Sequence, residues 1–174
     1  MKQLLVATSI LFLLFSCEKE VYHNIPKNEK PLLKDKDTVV FIDKENQMLD
    51  TFLIKRTDEY QIYDKNYYYE NILVWYKKMG ESTSVKDFFI HQSLSTSISI
   101  NGIYFPTIYK PTTHENDNTI DINVNGINYS SIFVFQASDF PDSIPNTIYY
   151  SYQYGIIRYD FSDGRSYELI NQWK

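Results

Sequence analysis

The chain has 174 residues, which is room for one domain with its own hydrophobic core. Hydrophobic residues make up 43% of the sequence and aromatic residues 17%, a composition that excludes a disordered protein. The formal net charge is −5, and no long run of Lys or Arg occurs. Because phosphate neutralisation needs clustered basic residues, the sequence predicts no nucleic-acid partner.

The N-terminus has the layout of an export signal. Residues 4–15 form an uncharged apolar run that follows Lys2. As a helix this run would span about 18 Å, which is shorter than the roughly 30 Å hydrocarbon core of a bilayer. It therefore predicts a cleavable signal peptide over residues 1–16 and not a membrane-spanning helix.

The signal ends at the only cysteine of the chain, Cys17. The sequence Leu-Phe-Ser-Cys over residues 14–17 resembles the lipobox of bacterial lipoproteins. The resemblance implies that Cys17 becomes the first residue of the mature protein and carries acyl chains such as palmitate. A single unpaired thiol is unusual in an exported protein, and lipidation would account for it. We therefore expect a membrane partner, reached through a lipid anchor on Cys17.

The segment after Cys17 has the composition of a linker. It is rich in charge, contains Pro26 and Pro31, and shows no apolar periodicity. Residues 17–37 are therefore predicted to be a lipidated cysteine followed by a flexible charged tether, with a single β-rich domain over residues 38–174. Residues 18–20, Glu-Lys-Glu, resemble the acidic surface-export signals of Bacteroidetes lipoproteins. The alternative is that these residues are simply a solvent-exposed beginning of the mature chain.

Turn residues divide the domain into hairpins. Asn-Gly at 101–102 and at 125–126 lies between alternating apolar residues, which is the pattern of a two-residue type I′ turn. A third turn, Ser-Asp-Gly at 162–164, fits a three-residue loop better. These loops predict the opposed pairs Ile100–Ile103, Val124–Ile127 and Tyr159–Tyr167.

Other strands follow from composition. Residues 38–43 and 50–56 predict a first hairpin, and residues 67–79 fit either a strand or a helix. The fold class predicted is mainly β, with antiparallel hairpins forming a sandwich, a half-barrel or a barrel, and with at most one or two short helices.

No motif predicts a catalytic site, a metal site or a cofactor. Residues 121–126 match the opening of a calcium loop, but Ile132 stands where the loop needs a bidentate Glu, so a hairpin is the simpler interpretation. The histidines His23, His91 and His114 have no companion ligand at metal spacing. We therefore predict no catalytic, cofactor or metal-binding residues.

Clustered tyrosines supply one binding hypothesis. Residues 67–69 and the segment around Tyr150, Tyr152 and Tyr154 place aromatic rings on both faces of their strands. Outward rings would suit a glycan or lipid ligand, and we name Tyr150, Tyr152 and Tyr154 as candidates. The alternative is that these tyrosines fill half-buried strand positions.

The C-terminal passage Tyr-Tyr, then Gly-Ile-Ile-Arg, then Ser-Asp-Gly resembles the closing motif of small Bacteroidetes-type lipoproteins. With the lipobox it implies a location, the bacterial cell envelope, anchored at the outer membrane on its periplasmic or cell-surface face. We expect a binding or structural module. The alternatives are an envelope hydrolase with a dispersed active site and a glycan- or lipid-binding accessory protein. A pocket with converging carboxylates or a His would favour the hydrolase, and an aromatic-lined groove without them would favour binding.

Overall fold

The computed structural model describes residues 19–80, 87–109, 119–138 and 140–170. Within these ranges the chain forms thirteen strands and one short 3-10 turn, Lys27–Glu29. The strands are β1 Val21–His23, β2 Thr38–Asp43, β3 Met48–Asp64, β4 Tyr67–Met79, β5 Asp87–Gln92, β6 Ser95–Ile100, β7 Ile103–Tyr104, β8 Ile108–Tyr109, β9 Thr119–Val124, β10 Ile127–Gln136, β11 Thr147–Ser151, β12 Gly155–Asp160 and β13 Ser166–Leu169. The prediction of a mainly β fold is confirmed.

All the strands belong to one sheet. The main order is β7-β6-β5-β4-β3-β2-β13-β12-β11-β10-β9, with β8 beside β6 and β1 beside β4. Every pair is antiparallel except β1 with β4, as the hairpin-rich sequence predicts. Among the described residues β7 and β9 do not pair, so the sheet is an open sandwich or half-barrel and not a closed barrel.

The sheet curves until its two halves face each other. β4 and β12 are four places apart in the strand order, yet the hydroxyl oxygen of Tyr76 accepts a hydrogen bond from the backbone N–H of Ile156 at 3.1 Å. The rings of Phe88 on β5 and Tyr159 on β12 lie 5.1 Å apart. The interior between the halves is filled mainly by aromatic and β-branched side chains, which bury much apolar area on a pleated surface.

The local turns have the predicted registers. Ile100 pairs with Ile103, and Val124 pairs with Ile127. Both Asn-Gly turns place Asn and Gly at positive φ, as a type I′ turn requires. In the third hairpin Tyr159 pairs with Tyr167, which confirms the three-residue loop. The ambiguous segment 67–79 is strand β4, and the first hairpin is longer than expected because β3 runs from Met48 to Asp64.

The predicted tether needs correction over its described residues. The part of this segment over residues 25–33 is anchored on the domain: Leu33 is fully buried, and Ile25 is nearly so. The N–H of Ile25 donates to the carboxylate of Glu70 at 2.9 Å, and Lys30 forms an ion pair with the same carboxylate. Two apolar anchors and one shared carboxylate hold this segment in place, although its overall composition is polar.

The predicted signal peptide over residues 1–16 and the predicted lipidation site, Cys17, lie outside the described residues. Within the described part of the chain, no helix has both the length and the apolar content to cross a membrane.

Candidate functional site

The central hairpin extends beyond the rest of the sheet. β3 and β4 pair from Thr51–Met79 as far as Asp64–Tyr67, whereas β5 pairs only with residues 72–77 of β4. The projecting part consists of residues 58–71, which we call the arm. β1 adds a short third strand to it, pairing with residues 67–69. An arm of this kind presents two accessible faces.

One face of the arm forms a groove with the turn between β5 and β6. The groove encloses about 310 Å³. It is lined by aromatic, amide, hydroxyl and aliphatic side chains, namely Gln61, Ile62, Tyr63, Tyr69, Asn71, His91, Ser93, Leu94 and Ser95. We call it the arm groove. No Lys, Arg, Asp or Glu is among these lining residues, so the groove suits a neutral ligand with both polar and apolar surfaces.

Two tyrosine rings form the aromatic part of the arm groove. Tyr63 is 78% exposed, and its ring meets that of Tyr69 edge to face with 5.4 Å between centroids. The imidazole of His23 on β1 stacks on Tyr69 at 4.5 Å. Tyr69 is thus fixed between two neighbours, and the exposed Tyr63 ring is available for contact with a ligand.

A chain of hydrogen bonds forms the polar part of the arm groove. Asn71 is buried, and its Nδ2 donates to Gln61 Oε1 at 3.2 Å. His91 Nε2 lies 3.1 Å from Asn71 Oδ1. Because a carbonyl oxygen only accepts, His91 Nε2 must carry the proton, which leaves His91 Nδ1 as an acceptor. Gln61 accepts through its oxygen, so its amide N–H groups remain available as donors.

Burial keeps His91 neutral. Desolvation lowers the pKa of His91 below its usual value, and the nearby carboxylate of Glu59 opposes this only in part. A neutral imidazole offers one donor and one acceptor. The arm groove therefore combines hydrogen-bond acceptors and donors with an exposed aromatic ring.

A second cavity, of about 210 Å³, is strongly charged. It lies at the β2–β3 turn, and its charged lining residues are Asp43, Lys44, Glu45, Arg158 and Glu168. The carboxylate of Asp43 accepts hydrogen bonds from the backbone N–H of Glu45 at 3.0 Å and from the side chain of Asn46 at 2.8 Å. Burial alone would raise the pKa of Asp43, but these hydrogen bonds outweigh it and lower that pKa.

A second carboxylate of this charged cavity, that of Glu168, is also engaged. Lys44 Nζ lies 2.6 Å from Glu168 Oε2, and the N–H of Asn125 donates to the same oxygen at 3.3 Å. Asp43 therefore stabilises its own turn, and Glu168 connects β13 to two loops. Two of the three lining carboxylates, Asp43 and Glu168, thus have a structural explanation, and the cavity is a weaker candidate for catalysis than its charge suggests.

The tyrosines named from the sequence occupy different environments. Tyr150 is fully buried, with its hydroxyl 3.4 Å from Gln92 Oε1. Tyr152 and Tyr154 are half-buried, and their rings meet Phe133 at 4.7 Å and Tyr129 at 5.3 Å. Tyr150 presents no surface to a ligand, whereas Tyr152 and Tyr154 keep part of their rings accessible.

The arm groove was missed because its residues are distant in sequence. Only the tyrosine run at 67–69 pointed to it, through Tyr69. Gln61 and His91 are thirty residues apart and become neighbours only when β3, β4 and β5 lie side by side.

Residues 121–126, which open like a calcium loop, form the β9–β10 hairpin, and Asp121 Oδ1 accepts a hydrogen bond from the N–H of Ser131 at 3.1 Å. In the ranges that the structure describes, no three His, Cys, Asp or Glu residues are grouped so as to hold a metal ion. His114 lies outside those ranges.

Comparisons with protein-family models, with curated proteins and with solved structures find no significant match to this chain.

Proposed function

We propose that this protein is a lipid-anchored binding module of the bacterial cell envelope that takes a neutral glycan in the arm groove. The observation that supports this proposal most directly is the composition of the groove. An exposed Tyr63 ring lies beside the hydrogen-bonded chain of Gln61, Asn71 and His91, and no charged residue is among the lining residues. Anchoring through Cys17 at the outer membrane, on either its periplasmic or its surface face, is part of the proposal.

A sugar ring matches both the aromatic part and the polar part of this groove. Its C–H face packs on an aromatic ring, and its hydroxyl groups pair with amide and imidazole groups, which supply orientation. A charged ligand would be desolvated in the groove without an opposite charge among the lining residues, at a large cost in free energy. Neutral oligosaccharides are therefore favoured over phosphorylated or acidic ones.

The alternative function, an envelope hydrolase, is partly supported by one residue. His91 lies in the arm groove, but its Nε2 is bonded to the amide of Asn71, and no carboxylate lines the groove. A general base needs a proton to abstract within reach and an acid or nucleophile beside it. The arrangement therefore supports binding better than bond cleavage.

The glycan is tested by screening the full chain against an array of neutral and acidic oligosaccharides, followed by calorimetry with the best neutral one. We expect Tyr63→Ala to weaken binding at least tenfold, because it removes the exposed ring. Tyr104→Ala is the matched control, since Tyr104 is an exposed tyrosine on β7, outside the groove. Binding that survives Tyr63→Ala but is lost in a Tyr152→Ala, Tyr154→Ala variant would move the site to the β11–β12 turn.

The anchor is tested separately. Mass spectrometry of the mature protein should show acyl chains on Cys17, and Cys17→Ala should leave the protein outside the membrane fraction. An unmodified Cys17, or a Cys17→Ala protein that stays membrane-bound, would overturn the anchor. Protease treatment of intact cells then distinguishes the surface face from the periplasmic face.

A further inference from the structure

The chain enters the fold at the tip of the arm. β1 runs parallel to β4, with Val21 opposite Tyr67 at the start of that strand. The N–H of Val21 donates to the carbonyl of Asn66, in the turn at the arm's end, at 2.7 Å. Because β1 and β4 both lead away from this turn, the described part of the chain begins beside the tip.

This geometry limits how far Cys17 can be from the tip. Cys17 precedes Val21 by four positions in the sequence, and a fully extended chain advances at most about 3.6 Å per residue. The chain length between them therefore limits their separation to about 14 Å. The packing of residues 25–33 on the domain removes the longer tether that would otherwise have allowed the domain to move away from the anchor.

An exposed cluster of large side chains lies at this tip next to the arm groove, and Ile62 borders both. Ile62 and Tyr68 are directly paired across the hairpin, and Tyr22 pairs with Tyr68 from the other side. Tyr60, two residues from Ile62 on the same strand, points to the same face. We call Tyr22, Tyr60, Ile62 and Tyr68 the tip patch.

The tip patch is ordered and accessible. The ring of Tyr22 stacks on Tyr68 at 4.7 Å and meets Tyr60 edge to face at 5.3 Å. Tyr22 and Tyr60 are exposed, and Ile62 is 64% exposed. Tyr22 donates to Glu20 at 2.8 Å, and Tyr60 donates to Asn24. The hydroxyl groups of Tyr22 and Tyr60 thus lie at polar partners, while about half of each of these residues and most of Ile62 remain exposed.

We propose that the tip patch rests on the bilayer that holds the acyl chains of Cys17. Ile62 and the tyrosine rings then lie at the level of the lipid headgroups. This inference depends on the proposed anchor. Tyrosine favours the membrane interface because its ring is apolar and its hydroxyl is polar. The short reach from Cys17 keeps any occupant of the patch near the membrane, which favours a lipid surface over a protein partner.

The proposal fixes the orientation of the domain. Ile62 and Leu49 lie on the same strand, thirteen residues apart, so they are separated by about 43 Å at roughly 3.3 Å per residue. Leu49 is 57% exposed at the opposite end of β3. If the tip rests on the bilayer, position 49 must stand well clear of it.

The test uses the acylated full chain, reconstituted into vesicles of phosphatidylethanolamine and phosphatidylglycerol that contain a nitroxide-labelled phosphatidylcholine. Ile62→Cys and Leu49→Cys are each labelled with an environment-sensitive fluorophore, since acylation of Cys17 leaves no other thiol. We expect the nitroxide lipid to quench the label at position 62 at least threefold more than the label at position 49.

Each other outcome overturns the proposal in a distinguishable way. Equal quenching at both positions, or none at 62, in protein that floats with the vesicles refutes the tip contact and leaves the anchor intact. Failure to float, together with an unmodified Cys17, refutes both. Shielding of the label at 62 in the unacylated Cys17→Ala protein, without lipid or detergent, would indicate a second copy of the chain on the patch instead of lipid.

Discussion

The hydroxyl oxygen of Tyr76 accepts a hydrogen bond from the backbone N–H of Ile156 at 3.1 Å, joining β4 to β12 across the interior. Burial raises the pKa of Tyr76 far above its usual value, although the hydrogen bond from Ile156 opposes this, so the phenol stays neutral. The ring reaches this position because residue 155 is a glycine. A Cβ there would lie 2.1 Å from the Tyr76 hydroxyl and 2.7 Å from Leu33 Cδ1.

Gly155→Ala should therefore destabilise the fold strongly. Gly155 has φ +74°, where a side chain costs about 1–2 kcal/mol, and the overpacked contact adds about 1–3 kcal/mol. The control is Gly126→Ala, at φ +81° with no atom within 4 Å of the added carbon, which incurs the backbone cost alone. Urea unfolding followed by circular dichroism should show a clearly larger loss at position 155. Equal losses would mean that Tyr76 and Leu33 move aside without cost.

Leu33→Ala tests whether the segment before β2 belongs to the domain. Leu33 is fully buried, so its truncation should lower the free energy of unfolding by about 2–5 kcal/mol. Its neighbour Leu32 is 52% exposed, and Leu32→Ala should cost much less. The comparison uses the same urea titration. A Leu33→Ala protein as stable as the parent would restore the flexible tether that composition predicted.

Lys78→Met should be destabilising because it leaves a buried carboxylate without its cation. Lys78 and Asp50 form an ion pair with almost no solvent exposure, and Asp50 also accepts a hydrogen bond from the hydroxyl of Tyr159 at 2.6 Å. Removing one partner of such a pair typically costs about 3–5 kcal/mol. The double variant Lys78→Met, Asp50→Leu should recover much of that loss. Additive losses in a double-mutant cycle would show that the pair is not coupled.

The parts of this fold that follow from sequence are those whose causes are local. Asn101 and Gly102 alone specify a two-residue turn, and the alternation beside them sets the register. The pairing of β13 with β2 has no local cause, since it joins the two ends of the domain. The arm groove could not be predicted from sequence for the same reason. Gln61 and His91 become neighbours only because β3 and β5 both pair with β4. Ile25 and Leu33 were missed because isolated apolar residues in a charged segment give no periodicity.

The pH dependence of glycan binding should report His91. Burial lowers its pKa below the ordinary value of about 6.5, so the imidazole is neutral above that pH and Nδ1 can accept a hydrogen bond. Affinity should be constant at higher pH and fall as the pH drops through the lowered pKa, where protonation removes the acceptor. Calorimetry across this range measures the effect, with His91→Gln as the control because it retains a donor toward Asn71 and does not titrate.

Stability should change in the same direction as affinity. The unfolded chain binds a proton at His91 at a higher pH than the folded protein does. The free energy of unfolding therefore decreases as the pH falls from about 6.5 through the lowered pKa of His91 in the folded protein. The His91→Gln protein should lose less stability over this interval. If both proteins lose the same amount, folding does not lower the pKa of His91, and the polar part of the arm groove would have to be assigned differently.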